Sequence, residues 1–306
     1  MTLRNHSPLA LPRALKPGDT LGVAAPASPF DKPSFEAGLA ALTAMGFRLM
    51  VPDDLFARDG YLAGGDRQRA RQLQRLFADP GIDGIICARG GYGTLRILEH
   101  LDAAAIARQP KVFVGFSDIT ALLQFLAARC GMVAFHGPTV TTLGDCDAAT
   151  RDHLYAALTS TAALSVAAAD PVVIRGGRAE GRLLCGNLTV LCHLTGTPFQ
   201  PDYDDTVLLV EDRGEAPYRI DRMLTQMRLA GCFDRLRGLA LGTFTRCGSE
   251  AEVHRIVADC LGGMGIPILA GFAVGHNARN LTLPVGLPVV LDSADGSLTF
   301  AEPALR

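Results

Sequence analysis

The chain has 306 residues, with 29 Lys and Arg set against 31 Asp and Glu, a net charge of -2. That balance excludes a general phosphate-binding strategy, which needs a basic excess, although it leaves room for a local basic patch. With 48% hydrophobic and 20% charged residues the chain reads as globular, one large domain or two ordinary ones, and the absence of Trp argues against a base-stacking platform.

Residues 20–25 read as a strand and 32–45 as a helix. A strand at 47–51, an Arg- and Gln-rich helix at 66–78 and an Ile-rich strand at 82–87 follow. After the Gly-rich turn Arg89-Gly90-Gly91-Tyr92-Gly93 comes a helix to about Glu99, then a strand at 111–116 and a helix at 118–129. Largely apolar strands alternating with helices predict an open parallel sheet covered on both faces. Residues 1–150 are therefore expected to form an N-terminal α/β domain. The polar and Ala-rich stretch 151–170 reads as a linker, and 171–306 as a mixed α+β domain with a twisted or barrel-like sheet. Its elements include strands at 206–210 and 238–243, helices at 217–230 and 250–261, and a hairpin pairing 289–292 with 297–301. No apolar run reaches the ~18 residues of a membrane helix. The first twelve residues lack a secretory apolar core. The eight Cys include no CxxC pair and read as buried free thiols, so a reducing cytoplasm is expected.

Chemistry concentrates at a few points. Gly115-Phe116-Ser117-Asp118 places Ser117 on a sharp strand-to-helix turn, where open α/β sheets put their ligands and where helix N–H groups favour negative charge. Ser117 there is either a nucleophile on an elbow or an ordinary N-cap; the second Gly of the usual elbow is absent, Ile119 standing in its place. The Gly turn at 90–93 can bring backbone N–H groups close to a bound group, or is a plain tight turn. The first strand runs into Ala24-Ala25-Pro26 rather than GxGxxG, which argues against a dinucleotide cofactor. Among the seven His, His276 lies in a loop between Gly275 and Asn277 and is the better base candidate, with His136 second. His6, His100, His153 and His254 read as solvated, and His193 as a satisfied core residue. Glu211 and Asp212 close an apolar strand, suiting either an imidazole-orienting carboxylate or a solvated acidic turn that caps the next helix. No clustered ligand motif suggests a metal.

Several motifs occur in one order. They are Ala88-Arg-Gly-Gly-Tyr-Gly93, Val114-Gly-Phe-Ser-Asp-Ile-Thr120, His136-Gly-Pro138, Gly181-Arg-Leu-Leu-Cys-Gly-Asn-Leu188, the acidic and basic run 210–222, Gly275-His-Asn277 and Leu283-Pro-Val-Gly286. In that order the chain resembles the LD-carboxypeptidase family of serine peptidases, from about residue 15 to 288. Cys185 stands where a small residue is frequent. The resemblance implies a flavodoxin-like N-terminal domain, a barrel-like C-terminal domain and a site between them. It implies a triad of Ser117, Glu211 and His276, with an oxyanion hole made by backbone N–H of Gly91, or Gly90 beside it, and of Asp118. It further implies a cytoplasmic homodimer without cofactor, with no role for nucleic acid or membrane. The implied reaction releases terminal D-Ala from the L-centre of diaminopimelate in murein tetrapeptide during peptidoglycan recycling. Alternatives are a peptidase that detoxifies peptide-nucleotide antibiotics and a catalytically silent muropeptide-binding protein. Arg89, Gly90 and Asn187 are candidate substrate contacts. Arg89 is assigned the substrate carboxylate, because it flanks the Gly turn and Arg forks suit carboxylates.

Overall fold

The computed structural model describes residues 9–306. His6 lies outside them. The strands, numbered along the chain, are β1 (Thr20–Ala24), β2 (Arg48–Met50), β3 (Gly84–Cys87), β4 (Val112–Gly115), β5 (Ala134–His136), β6 (Ser165–Ala167), β7 (Val172–Arg175), β8 (Arg178–Asn187), β9 (Thr206–Arg213), β10 (Gly238–Thr245), β11 (Ile268–Ala270), β12 (Leu283–Val285), β13 (Pro288–Asp292) and β14 (Ser297–Phe300).

The first sheet has the order β12-β5-β4-β3-β1-β2. Strands β1 to β5 pair in parallel, and their order 2-1-3-4-5 is that of flavodoxin-like sheets. Strands β3 and β4 are buried along their whole length, which is why they read as unbroken apolar runs. In such a sheet the ligand crevice opens at the carboxyl ends of the strands, where the strand order reverses between β1 and β3. The loops leaving β1, β3 and β4 all open there. The sixth strand, β12, comes from the far end of the chain and pairs antiparallel with β5, His136 opposite Leu283.

The second sheet is mixed, with the order β6-β14-β13-β8-β9-β10-β11-β7. Its central strands β8 to β11 are parallel and its outer pairs antiparallel. The edge strands β6 and β7 follow one another in sequence, five residue steps apart, a reach of at most ~18 Å. A flat eight-stranded sheet would hold its edges roughly 34 Å apart at the usual strand spacing. The sheet therefore curls, and the segment between the two edges stitches both sides. Ala168 N–H donates to Gly296 O at 2.8 Å and Ala169 N–H to Gly271 O at 2.9 Å.

The halves are tied by helix Thr120–Arg129. Its Gln124 donates to Cys185 O at 3.0 Å, and its Thr120 Oγ1 accepts from Asn187 N–H at 3.0 Å. The stretch expected to be a linker is not irregular. It holds most of helix Ala148–Thr159, capped by Asp147, and then β6. Its small-residue composition hid an ordinary helix that buries Leu154, Ala157 and Leu158. Seven of the eight Cys are buried and Cys260 is half-buried; all are free thiols.

Candidate active site

Strand β4 ends at Gly115, where a methyl group would stand 2.7 Å from Ile119 Cγ2, so only Gly lets the chain turn this tightly into the following helix. Phe116, not Ser117, occupies the cap position, and no side chain caps the turn. Ser117 itself has φ 64°, a left-handed conformation that a non-Gly residue adopts at a cost of ~1–2 kcal/mol. The strain lifts Oγ out of the turn, and it meets His276 Nε2 at 3.1 Å. His276 Nδ1 lies 2.5 Å from Glu211 Oε2. A carboxylate only accepts, so it holds the proton on Nδ1 and leaves Nε2 to accept from the Ser117 hydroxyl. The three groups form one line.

Each member is carried by a different element. Glu211 lies within β9, fully buried, because the strand runs three residues beyond its apolar stretch to Arg213. The acidic pair is thus neither a solvated turn nor a helix cap: the helix Pro217–Leu229 has no side-chain cap. Asn187 donates to Glu211 Oε1 at 3.3 Å and to Asp212 Oδ1 at 3.0 Å, while its own Oδ1 accepts from Val190 N–H. Its polar atoms serve the carboxylates and the adjoining helix; although Asn187 lines the cleft, it acts chiefly as a brace. Asp212 also accepts from Thr189 N–H and Oγ1, at 2.9 and 2.8 Å, and burial beside Glu211 pushes its carboxyl up. His276 arrives on a loop whose Gly275 has φ 131°. A methyl there would fall 2.7 Å from Glu211 Oε2. Asn280 Oδ1 accepts from Gly275 N–H at 2.9 Å and fixes that loop.

The Gly turn packs directly on the elbow. A methyl at Gly90 would stand 2.9 Å from Ser117 Cβ, and Gly91 has φ 106°. Ser117 and His276 open into a cleft of about 410 Å³ between the two halves, walled by Arg89 and Tyr92 on one side and by Thr189, His193, Arg213 and Glu215 on the other. A lobe of about 280 Å³, lined by Asp145, Arg213 and Asn277, continues past His276. A larger cavity, about 620 Å³, lies between helices Lys32–Ala44 and Ala148–Thr159 and contains none of these groups.

The other histidines differ from expectation. His136 is fully buried in β5, its ring edge-on to Phe116 with centroids 5.9 Å apart and neither nitrogen hydrogen-bonded. Burial, with the nearby His276, pulls its pKa down to about 3, so it stays neutral and is no base for Ser117. His193 is exposed on the cleft wall rather than buried, because its helix turns that face away from the core. His153 is half-buried and accepts from Thr282 N–H at 3.1 Å. His100 and His254 are half-buried on their helices. Sequence reading passed over Thr94, Arg69 and Arg213. Thr94 carries the one legible signal, a hydroxyl directly after the Gly turn; Arg69 is one Arg among several in a polar helix.

The description "LD-carboxypeptidase N-terminal domain" matches residues 21–137, and "LD-carboxypeptidase C-terminal domain" matches residues 180–291. The chain belongs to the LD-carboxypeptidase family. It is 35% identical to the murein tetrapeptide carboxypeptidase of Pseudomonas aeruginosa, over 88% of this chain and 91% of that one. The solved muramoyltetrapeptide carboxypeptidase of Oxalobacter formigenes has a TM-score of 0.82 and 30% identity, covering 93% of this chain and 99% of its own. The microcin C7 self-immunity protein MccF of Escherichia coli, in its ligand-free structure, has a TM-score of 0.91 at 25% identity, covering 97% of this chain and 100% of its own. The two matched family domains fall on the two halves that meet at the cleft.

Proposed function

We propose that the protein is a serine LD-carboxypeptidase that hydrolyses the amide between the L-centre of diaminopimelate and terminal D-Ala in murein tetrapeptide. The observation that carries this reading is the unbroken line Ser117–His276–Glu211, spanning 3.1 and 2.5 Å, at the mouth of an open cleft. Ser117 Oγ attacks the carbonyl carbon while His276 Nε2 takes its proton. The carbonyl oxygen, now an anion, is received by the N–H groups of Gly91 and Asp118. His276 returns the proton to the amide nitrogen, the C–N bond breaks and D-Ala leaves. Water then adds to the acyl-Ser117, passing its proton through His276, and releases the shortened peptide. Glu211 holds the imidazole in the required tautomer and stabilises its cation. Positioned proton transfer contributes about 10²–10⁴-fold, and each oxyanion donor ~3–4 kcal/mol. Arg89 binds the substrate carboxylate. The protein works in the cytoplasm as a homodimer in peptidoglycan recycling.

Incubation with murein tetrapeptide and assay of free D-Ala tests this reading. Release is expected to vanish in Ser117→Ala, to fall about 10⁴-fold in Glu211→Gln, where the tautomer is lost, and to persist with a chelator. Tetrapeptide binding without turnover would replace the enzyme with a silent muropeptide receptor. A second reading, a peptidase that detoxifies peptide-nucleotide antibiotics, is favoured by the close fold similarity to MccF, which is also solved in complex with aspartyl sulfamoyl adenosine. Cleavage of an aminoacyl sulfamoyl nucleoside in place of the tetrapeptide would select it.

A further inference from the structure

Arg69 is 1% exposed, among the largest fully buried side chains. Burying a guanidinium costs several kcal/mol unless its donors are met. Here Nε donates to Gly64 O at 3.0 Å, Nη1 to Gly93 O at 2.9 Å and to Pro26 O, and Nη2 pairs with Asp66. These carbonyls belong to the loop after β1, the loop before helix Asp66–Ala78, and the Gly turn after β3. One side chain thus draws three loops together at the carboxyl edge of the first sheet. Gly93, with φ 130°, must be Gly: a methyl there would stand 2.8 Å from Arg69 Nη1.

The next peptide carries the connection to the elbow. Thr94 N–H donates to Asp118 Oδ2 at 2.9 Å, and Thr94 Oγ1 donates to the Asp118 carbonyl at 2.5 Å. The 93–94 peptide is planar, so it acts as a rigid strut. Its carbonyl is held by Arg69 and its N–H by the residue after Ser117. On the same side Tyr92 N–H donates to Ser28 Oγ at 3.0 Å, and on the other side of Gly91 the Gly90 carbonyl accepts from Ser28 N–H at 3.3 Å. Gly91 is therefore gripped from both sides, and its spacing from Asp118 is set by this chain of bonds. Catalysis is sensitive to that spacing, since a shift of ~1 Å in a reacting geometry costs about 10²-fold.

We propose that Arg69 and Thr94 are positioning residues that fix the Gly turn against the nucleophile elbow, holding the N–H groups of Gly91 and Asp118 at the separation an oxyanion requires. The assignment rests on the serine-peptidase reading and adds the device that assembles its oxyanion hole.

Thr94→Val removes the hydroxyl donor to the Asp118 carbonyl and keeps the backbone bond; Thr94→Ser restores the hydroxyl. Arg69→Lys keeps the charge and loses the fork, but it also removes hydrogen bonds that hold the fold, so the decision rests on Thr94. Three quantities are read in the full-length protein: kcat and KM for D-Ala release, the rate at which Ser117 displaces fluoride from a fluorophosphonate probe, and the melting temperature. For Thr94→Val the expectation is cooperative melting, with kcat and labelling rate both down at least about tenfold and KM within about threefold of wild type. Thr94→Ser recovers most of both rates. A folded Thr94→Val with kcat and labelling within twofold of wild type overturns the proposal, as does a rise confined to KM or a Thr94→Ser variant as impaired as Thr94→Val. If the wild type is active and Thr94→Val equally so, only this assignment falls. If wild-type protein neither releases D-Ala nor labels at Ser117, the serine-peptidase reading falls and takes this one with it.

Discussion

Arg89 flanks the Gly turn and lines the cleft, and one of its guanidinium nitrogens donates to Pro29 O at 2.8 Å. That anchor leaves the rest of the guanidinium in the cleft lining, where the proposed role has it meet the substrate carboxylate. A charge-assisted hydrogen bond is worth ~1.5–3 kcal/mol, so Arg89→Ala is expected to raise KM for the tetrapeptide about 10- to 100-fold with kcat little changed. Steady-state kinetics on the tetrapeptide check it, and an unchanged KM would move the carboxylate to another cation of the same cleft, such as Arg213, which lines both lobes. At this scale the sequence was readable where residue type and turn chemistry coincide: Ser117 after an apolar strand, His276 beside Gly275. It was not readable for His193, whose apolar neighbours Leu191 and Cys192 are buried while the imidazole itself is exposed. Neighbours in a helix point to different faces, so composition around a residue does not report its own burial.

At the scale of elements, the junction of the two halves depends on close approach between β8 and helix Thr120–Arg129. A methyl group at Gly186 would stand 2.2 Å from Thr120 Cγ2, inside any tolerable contact, and Thr120 is fully buried with Oγ1 engaged by Asn187 N–H. Overpacking a site of this kind costs ~1–3 kcal/mol. Gly186→Ala is expected to lower the unfolding free energy by that amount, read as a lower urea midpoint in denaturant titration, and to weaken activity because Asn187, the next residue, braces Glu211. A midpoint within error of wild type would mean the junction gives way cheaply. Elements with a clean local signal were legible within a residue or two. Helix Asp66–Ala78 and helix Glu250–Leu261 lie at the expected bounds. The short strands β6, β7 and β12, at three or four residues each, carry no period long enough to distinguish them from loop.

Across the whole molecule, buried neutral imidazoles make stability depend on pH. His136 keeps a pKa of about 3 in the fold, whereas an exposed imidazole titrates near 6.5. The unfolded chain therefore binds the proton first as pH falls. The contribution is fully present above about pH 6.5 and is lost by about 1.4 kcal/mol per pH unit below it, until the folded pKa is reached. At pH 5 this amounts to ~2 kcal/mol. His136→Leu, which cannot titrate, is expected to lose that much less stability than wild type between pH 7 and 5 in urea titrations. Half-buried His153, pulled the same way by burial, contributes a slope of the same sign in both proteins. Equal slopes in the two proteins would mean that His136 is hydrated in the native state.

Local patterning determined which segments become parallel strands and crossover helices, because an apolar run or a 3.6-residue period acts over a few neighbouring residues. Turn chemistry determined where a strained Ser117 and a permissive Gly275 stand. Tertiary structure alone decided that β12 joins the first sheet, that the second sheet curls until its edges share one short segment, that Glu211 lies inside a strand instead of beyond it, and which histidine meets the serine. Those outcomes depend on contacts between residues 24 to 159 positions apart, from the pairing of Asn187 with Glu211 to the meeting of Ser117 with His276. Such contacts arise only when whole layers pack, and no window of sequence contains both partners.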